Sequence, residues 1–223
     1  MKPLSPDNTI LAIDASTARV GVALWHKGQC HAQECWPSTR GNPGQLVQTI
    51  ETMRNRCHVA WHQLDAVLVG CGPGQFAGLR VSVTAAQALQ RPNKGPVLGI
   101  ASAHAMLDAT RQAHPDAPAI IICGDARRNH IWLYQWSQET TEPYPRLHCI
   151  SHEQSRNLPT PEGTIAASPD FQRLQHRLPL PATTRWIEAD IAPDPEHMIR
   201  VALANPALLG APDIQYVHPP VSG

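Results

Sequence analysis

Apolar and polar positions alternate along this chain in two rhythms, and each change of rhythm marks an element. Residues 9–15 (TILAIDA) are a nearly unbroken apolar run ending on an acid, the pattern of a strand buried on both faces. A polar turn at 16–19 leads to 20–26 (VGVALWH), and Lys27-Gly28 leads to 29–36, which predicts an antiparallel meander. After a loop over 38–44 the period lengthens to that of a helix reaching Cys57. Leu46, Ile50, Met53 and Cys57 share a stripe with Val47 beside it; Gln48, Glu51, Arg54 and Asn55 make the polar face. Asn42 offers a cap, Pro43 a first-turn proline and Gln45 a glutamine three residues after the cap. An apolar strand over 64–69, a glycine-rich loop, a helix over 79–90, a strand over 97–100 and a helix over 102–113 capped by Ser102 complete the first half. The order β-β-β-α-β-α-β-α predicts an α/β fold, a mixed sheet with helices laid against it.

The helix at 79–90 is unusually apolar. Its polar stripe holds Arg80, Thr84 and Gln87, with Arg91 following, while Leu79, Val81, Val83, Ala85, Ala86, Ala88 and Leu89 fill the other faces. Such a helix needs cover on more than one side. Its own sheet supplies one side; a second layer or a second chain must supply the other. Ala77, Gly78, Ser82, Ala85 and Ala86 would let another helix approach closely.

A second unit opens near Ala119. An apolar strand over 120–123, a turn carrying Asp125 and a strand over 131–136 repeat the plan of residues 9–26, a weak internal duplication. Beyond 139 the pattern weakens. Short strands are expected near 149–150, 164–167 and 186–188, a polar helix near 151–156, a helix over 196–204 and an extended tail over 211–223. Many of the 22 prolines fall in this half, which lowers the expectation of regular structure. We therefore expect two subdomains, 1–115 and a smaller, reduced 116–223.

Charge changes this picture little. Lys plus Arg and Asp plus Glu number 18 each, so no global basic field marks a nucleic-acid binder. The six cysteines (30, 35, 57, 71, 123, 149) form no CxxC pair and read as reduced packing thiols. The first ten residues hold no apolar signal core, and no window approaches the roughly 20 apolar residues of a membrane span. A cytoplasmic protein without membrane contact is expected.

Candidate chemistry gathers at two turns. Glycines at 70, 72, 74 and 78 and Pro73 lie between a strand and a helix, the order that builds anion cradles in α/β proteins. Asp14, Ser16 and Thr17 put a carboxylate and two hydroxyls on one hairpin. They could contact a phosphate or magnesium, or satisfy their own turn, and spacing leaves both open. His58 and His62 have ligand spacing only if they share a helix; no third ligand is near, so no metal is expected.

The segments ILAIDAST…VGVALW, GPGQFAGLRVSVTAAQAL, VLGIASAHAM and Asp125-Ala126-Arg127 resemble, in order, the bacterial TsaB/YeaZ family over roughly residues 9–136. In the tail only Tyr216 of DIQYVH resembles the family's closing motif. The resemblance implies an actin-like ATPase (RNase H-like) fold with two mixed-sheet subdomains, the second reduced. It implies a scaffold without catalytic residues that pairs with a TsaD-type paralogue and acts with a TsaE-type ATPase. Together they would install threonylcarbamoyl on the adenosine next to the tRNA anticodon, with ATP and magnesium used through the partners and tRNA met indirectly. It also implies a partner interface, or an alternative self-dimer, on the helices at 43–57 and 79–90, with Leu46, Val47, Ile50, Met53, Leu79, Val83, Ala86 and Gln90 in it. Departures bear on the nucleotide site. Gln75 and Ala77 stand where the family carries Ser and Thr, Ala15 replaces a threonine, only His104 stands where metal-binding relatives carry a histidine pair, and no adenosine motif follows. Asp14, Ser16, Thr17, Gly72, Gly74 and Asp125 are thus expected to be a degenerate phosphate-loop remnant. The alternative is a small ATP-dependent phosphotransferase using Asp14 and Asp125 around magnesium. A peptidase, a name attached to the wider superfamily, finds no nucleophile–base pair or HExxH helix here.

Overall fold

A computed structural model describes residues 4–38 and 44–217. The expected cap Asn42, the first-turn Pro43 and tail residue His218 lie outside the described residues. The chain divides into two compact units: Met1–Ala105 with Pro193–Gln215, and Met106–Ala192 with Tyr216–Gly223.

In the first unit, β1 (Ile10–Asp14), β2 (Arg19–His26) and β3 (Gln29–Pro37) form the meander, and β4 (Ala66–Gly70) and β5 (Val97–Ile100) extend it in the order β3-β2-β1-β4-β5. β1 pairs antiparallel with β2 and parallel with β4, so this strand, all five residues buried, is the centre of the sheet. Helices α1 (Gln45–Arg56) and α2 (Phe76–Gln90) cover one face: α1 packs on β2 and β3, α2 on β4, β1 and β5. Leu46, Ile50, Met53 and Ala86 meet Leu11, Ile13, Val22, Leu24, Val67 and Val69 in one core. Each fully buried Leu, Ile or Met there contributes about 1.5–3 kcal/mol. Helix α6 (Pro195–Ala204) packs on β1, β2, β3 and β4, with Met198, Ile199, Val201 and Ala202 all buried. Helix α3 (Ser102–Ala113) follows β5, and the boundary between the units falls inside it.

The second unit repeats the pairing plan. β6 (Ala119–Arg127), β7 (His130–Ser137), β8 (His148–Ser151), β9 (Thr164–Ser168) and β10 (Thr184–Asp190) order as β10-β9-β6-β7-β8. β6 is antiparallel to β7 and parallel to β9, as β1 is to β2 and β4. The positions of α1 and α2 in the sequence of elements are taken by the short helices α4 (His152–Ser155) and α5 (Phe171–Leu174), four residues each. This unit is the reduced one.

Some elements differ from the sequence pattern. Helix α2 starts at Phe76, not 79, because Gln75 holds extended backbone and Gly78 lets the first turn lie against the Ala15 carbonyl. His58 has φ 54 beyond the end of α1, and His62 sits in a 3-10 turn (Trp61–Gln63), so the two histidines do not share a helix. Among the described residues no helix is long and apolar enough to cross a membrane.

Candidate functional site

The tip of β1 is locked from three directions. Asp14 is 1% exposed, and its Oδ1 accepts hydrogen bonds from the Ser16 amide at 2.8 Å and the Ser16 hydroxyl at 2.7 Å. Its Oδ2 accepts from the Ser102 hydroxyl at 2.5 Å, and that hydroxyl in turn accepts from the Gly72 amide at 3.1 Å. Burial pushes the Asp14 carboxyl above its ordinary range, and the bonds from Ser102 and Ser16 pull it partly back. Thr17 turns its hydroxyl onto the backbone of Arg19. Ser102, which the sequence marks only as a helix cap, is thus the member of this network that spacing along the chain could not reveal.

The glycine loop lies directly on the turn after β1. The Gln75 amide donates to the Ser16 carbonyl at 2.6 Å. A Cβ on Gly74 would come within 2.0 Å of the Ser16 carbonyl oxygen, and one on Gly78 within 1.9 Å of that of Ala15. Gly72 needs its own φ of 90. These glycines serve close backbone contact. A magnesium–phosphate group of the kind the fold class holds would need free carboxylate oxygens and open loop amides at this place. Asp14 has both oxygens engaged and the loop is filled by its own turn, so the residues present do not fit it.

Asp125, near the end of β6, lies in the second unit. Its Oδ1 accepts from the Arg127 amide at 2.6 Å, its amide donates to Asp170 Oδ2 at 3.0 Å, and Arg173 bridges Asp125 and Asp170 at 3.0 and 2.7 Å.

The two helices of the first unit separate into buried and outward residues, and this corrects the expected interface. Leu46, Ile50, Met53, Leu79 and Ala86 are at most 6% exposed and sit in their own chain's core, so they present nothing to a partner. Gln90 is buried too: its Nε2 donates to the Leu64 carbonyl, and its Oε1 accepts from Asn93. Val83 is half-buried against the core, and Ser82 bonds back to the Leu79 carbonyl. The hydrophobic stripe read as an interface is the stripe that binds each helix to its sheet. Of the expected residues only Val47 faces outward, 49% exposed, and it is joined by Val81 at 51% and Phe76 at 41%. The Arg80 guanidinium lies 3.8 Å over the Phe76 ring. Because α1 and α2 cover neighbouring strands of one sheet, Val47 and Val81 stand on one outer layer.

Fold and site together define a class: a two-unit α/β protein with one mixed five-stranded sheet in each unit, sharing its fold with YeaZ structures, whose strand-tip acid is tied up in its own chain. Residues 43–190 match the family model described as TsaD: tRNA N6-adenosine threonylcarbamoyltransferase, and the chain belongs to this family, among its TsaB/YeaZ members. The Haemophilus influenzae tRNA threonylcarbamoyladenosine biosynthesis protein TsaB is 32% identical over 132 residues, 59% of this chain and 55% of that protein. Two Pseudomonas aeruginosa structures share the fold. One, described as an uncharacterized protein with similarity to peptidase YeaZ, has a TM-score of 0.78 at 19% identity, covering 95% of this chain and 100% of that one. The other, YeaZ, has a TM-score of 0.69 at 22% identity, covering 90% and 92%. The chain spans 51–58% of the length of the first curated relatives it matches.

Proposed function

We propose that this chain is a scaffold subunit in the formation of threonylcarbamoyladenosine in tRNA, without catalytic residues of its own, and that it works by pairing with a TsaD-type paralogue. The observation that carries the reading is the outer layer of α1 and α2. It exposes Val47, Phe76 and Val81 on helices whose opposite faces are fixed in the core. Apolar side chains on a rigid support suit a protein partner. The TsaE-type ATPase would join that pair, and a homodimer would use the same layer. The closed strand tip supports the same reading, since a phosphotransferase would need Asp14 free for magnesium. The test is co-purification with the TsaD-type paralogue, followed by an assay of tRNA modification with and without this chain. Modification that proceeds equally well without it overturns the proposal.

A further inference from the structure

The second unit holds a basic cavity that the pairing reading leaves unused. It has a volume of about 690 Å³, within the range of roughly 300–1,000 Å³ usual for ligand clefts. Arg127, Arg128, Arg173 and Arg177 line it, with Asp125 the one carboxylate in the lining. In a chain of zero formal charge this is a local excess of cations. Arg173 is committed to Asp125 and Asp170, but among the described residues Arg127, Arg128 and Arg177 have no carboxylate within ion-pair distance. His152, also in the lining, donates its amide to the Asn129 carbonyl and keeps its Nε2 buried and unpaired.

The hairpin that carries two of these arginines is built at a cost. Arg127, Arg128 and Asn129 have φ of 65, 50 and 59 in succession. A side chain in that region costs about 1–2 kcal/mol, and glycine or asparagine fits it better than arginine. Folding alone does not ask for arginine at 127 and 128.

We propose that this cavity docks the phosphodiester backbone of RNA. A guanidinium matches two phosphate oxygens at once, which favours phosphate over a lone carboxylate. The lining has Leu174 as its one apolar residue and no Phe, Tyr or Trp, while four of its side chains are guanidinium groups, so it suits a charged backbone more than splayed bases. Such a site positions a backbone without reading sequence. The choice of RNA among polyanions rests on the proposed role in tRNA modification.

The test uses the full chain and a tRNA transcript, with binding followed by fluorescence anisotropy between 50 and 300 mM KCl. The wild type should bind with a dissociation constant on the order of micromolar at the lowest salt. The triple variant Arg127→Gln/Arg128→Gln/Arg177→Gln should bind more than tenfold weaker, with the slope of log K against log salt reduced by about 2, at about 0.7 per lost contact. Arg19→Gln/Arg91→Gln/Lys94→Gln, which removes the same charge from exposed positions of the first unit, should leave the slope unchanged. Equal losses in both triples, or no tRNA binding by the wild type, overturn the proposal. So does binding of tripolyphosphate that needs the three arginines while tRNA binding does not. The cavity triple should still co-purify with the TsaD-type paralogue, so failure of RNA docking and failure of the pairing reading are read separately.

Discussion

The hydroxyl of Ser102 donates to Asp14 Oδ2 at 2.5 Å across 88 residues of sequence, joining the start of α3 to the tip of β1. Because the same hydroxyl accepts from the Gly72 amide, one side chain satisfies a buried carboxylate and a buried N–H together.

Ser102→Ala should therefore cost about 1–3 kcal/mol, the penalty for stranding buried polar groups. Urea unfolding measures it. A loss below half a kcal/mol would show that Asp14 finds another donor.

Two acids should give stability opposite pH dependences. Burial raises Asp14, so the folded chain holds its proton longer than the unfolded one does. The stability from this group is whole below the unfolded value near 3.8 and is lost as pH rises through the folded value. Asp14→Asn should accordingly gain on the wild type between pH 4 and pH 7. At Asp194, which caps α6, burial pushes the carboxyl up, but hydrogen bonds from His197 and Gln33 outweigh it and hold it at about 2. Its contribution is present above 3.8 and lost as pH falls through about 2. With solvent screening at a half-exposed side chain this is about 1 kcal/mol, which Asp194→Asn should forfeit at pH 7 and not at pH 2. Unfolding curves across pH 2–7 decide both signs.

Gly78→Ala should destabilise the chain by about 3 kcal/mol or prevent folding, because the added Cβ meets the backbone oxygen of Ala15 at 1.9 Å and backbone cannot swing aside. Gly44→Ala meets nothing closer than the Gln48 side-chain nitrogen at 3.8 Å and should change stability by less than about 0.5 kcal/mol. Thermal melts of the pair separate a packing requirement from a general intolerance of substitution.

Val81→Glu should leave the isolated chain folded, within about 0.5 kcal/mol, and abolish co-purification with the paralogue. Val83→Glu is a poorer probe, since Val83 packs on the core and the variant would lose stability first. If Val81→Glu still binds the paralogue with unchanged affinity, the outer layer of α1 and α2 is not the docking surface.

Strand and helix order in the first unit was legible because a buried parallel strand and an amphipathic helix leave periods of different length. The plan repeated around β6 and β7 was legible for the same reason. The sequence could not show which way an apolar stripe faces. Leu46, Ile50 and Met53 have the spacing of an interface and of a core alike, and only the presence of the sheet decides. Val47 and Val81 read in the sequence as further apolar residues beside those stripes, and nothing in their spacing sets them apart as exposed. Ser102 and Asp14 were visible singly, but contact between residues so far apart depends on the parallel order of β1, β4 and β5. The basic cavity was hidden in a neutral total, since its arginines come from a hairpin at 127–128 and from α5 and the turn after it.

The return of Pro193–Gln215 to the first unit has a consequence for the order of events during synthesis. Pro195 lies against Gly21, the Asp194 carboxylate holds Gln33, and α6 buries Met198, Ile199, Val201 and Ala202 over β1, β2 and β3, strands made more than 150 residues earlier in the chain. The nascent chain must emit Met106–Ala192, the main part of the second unit, before that face of its first sheet can be closed. Until then that face is bare, so a ribosome stalled after α3 would release a sticky fragment instead of a finished domain.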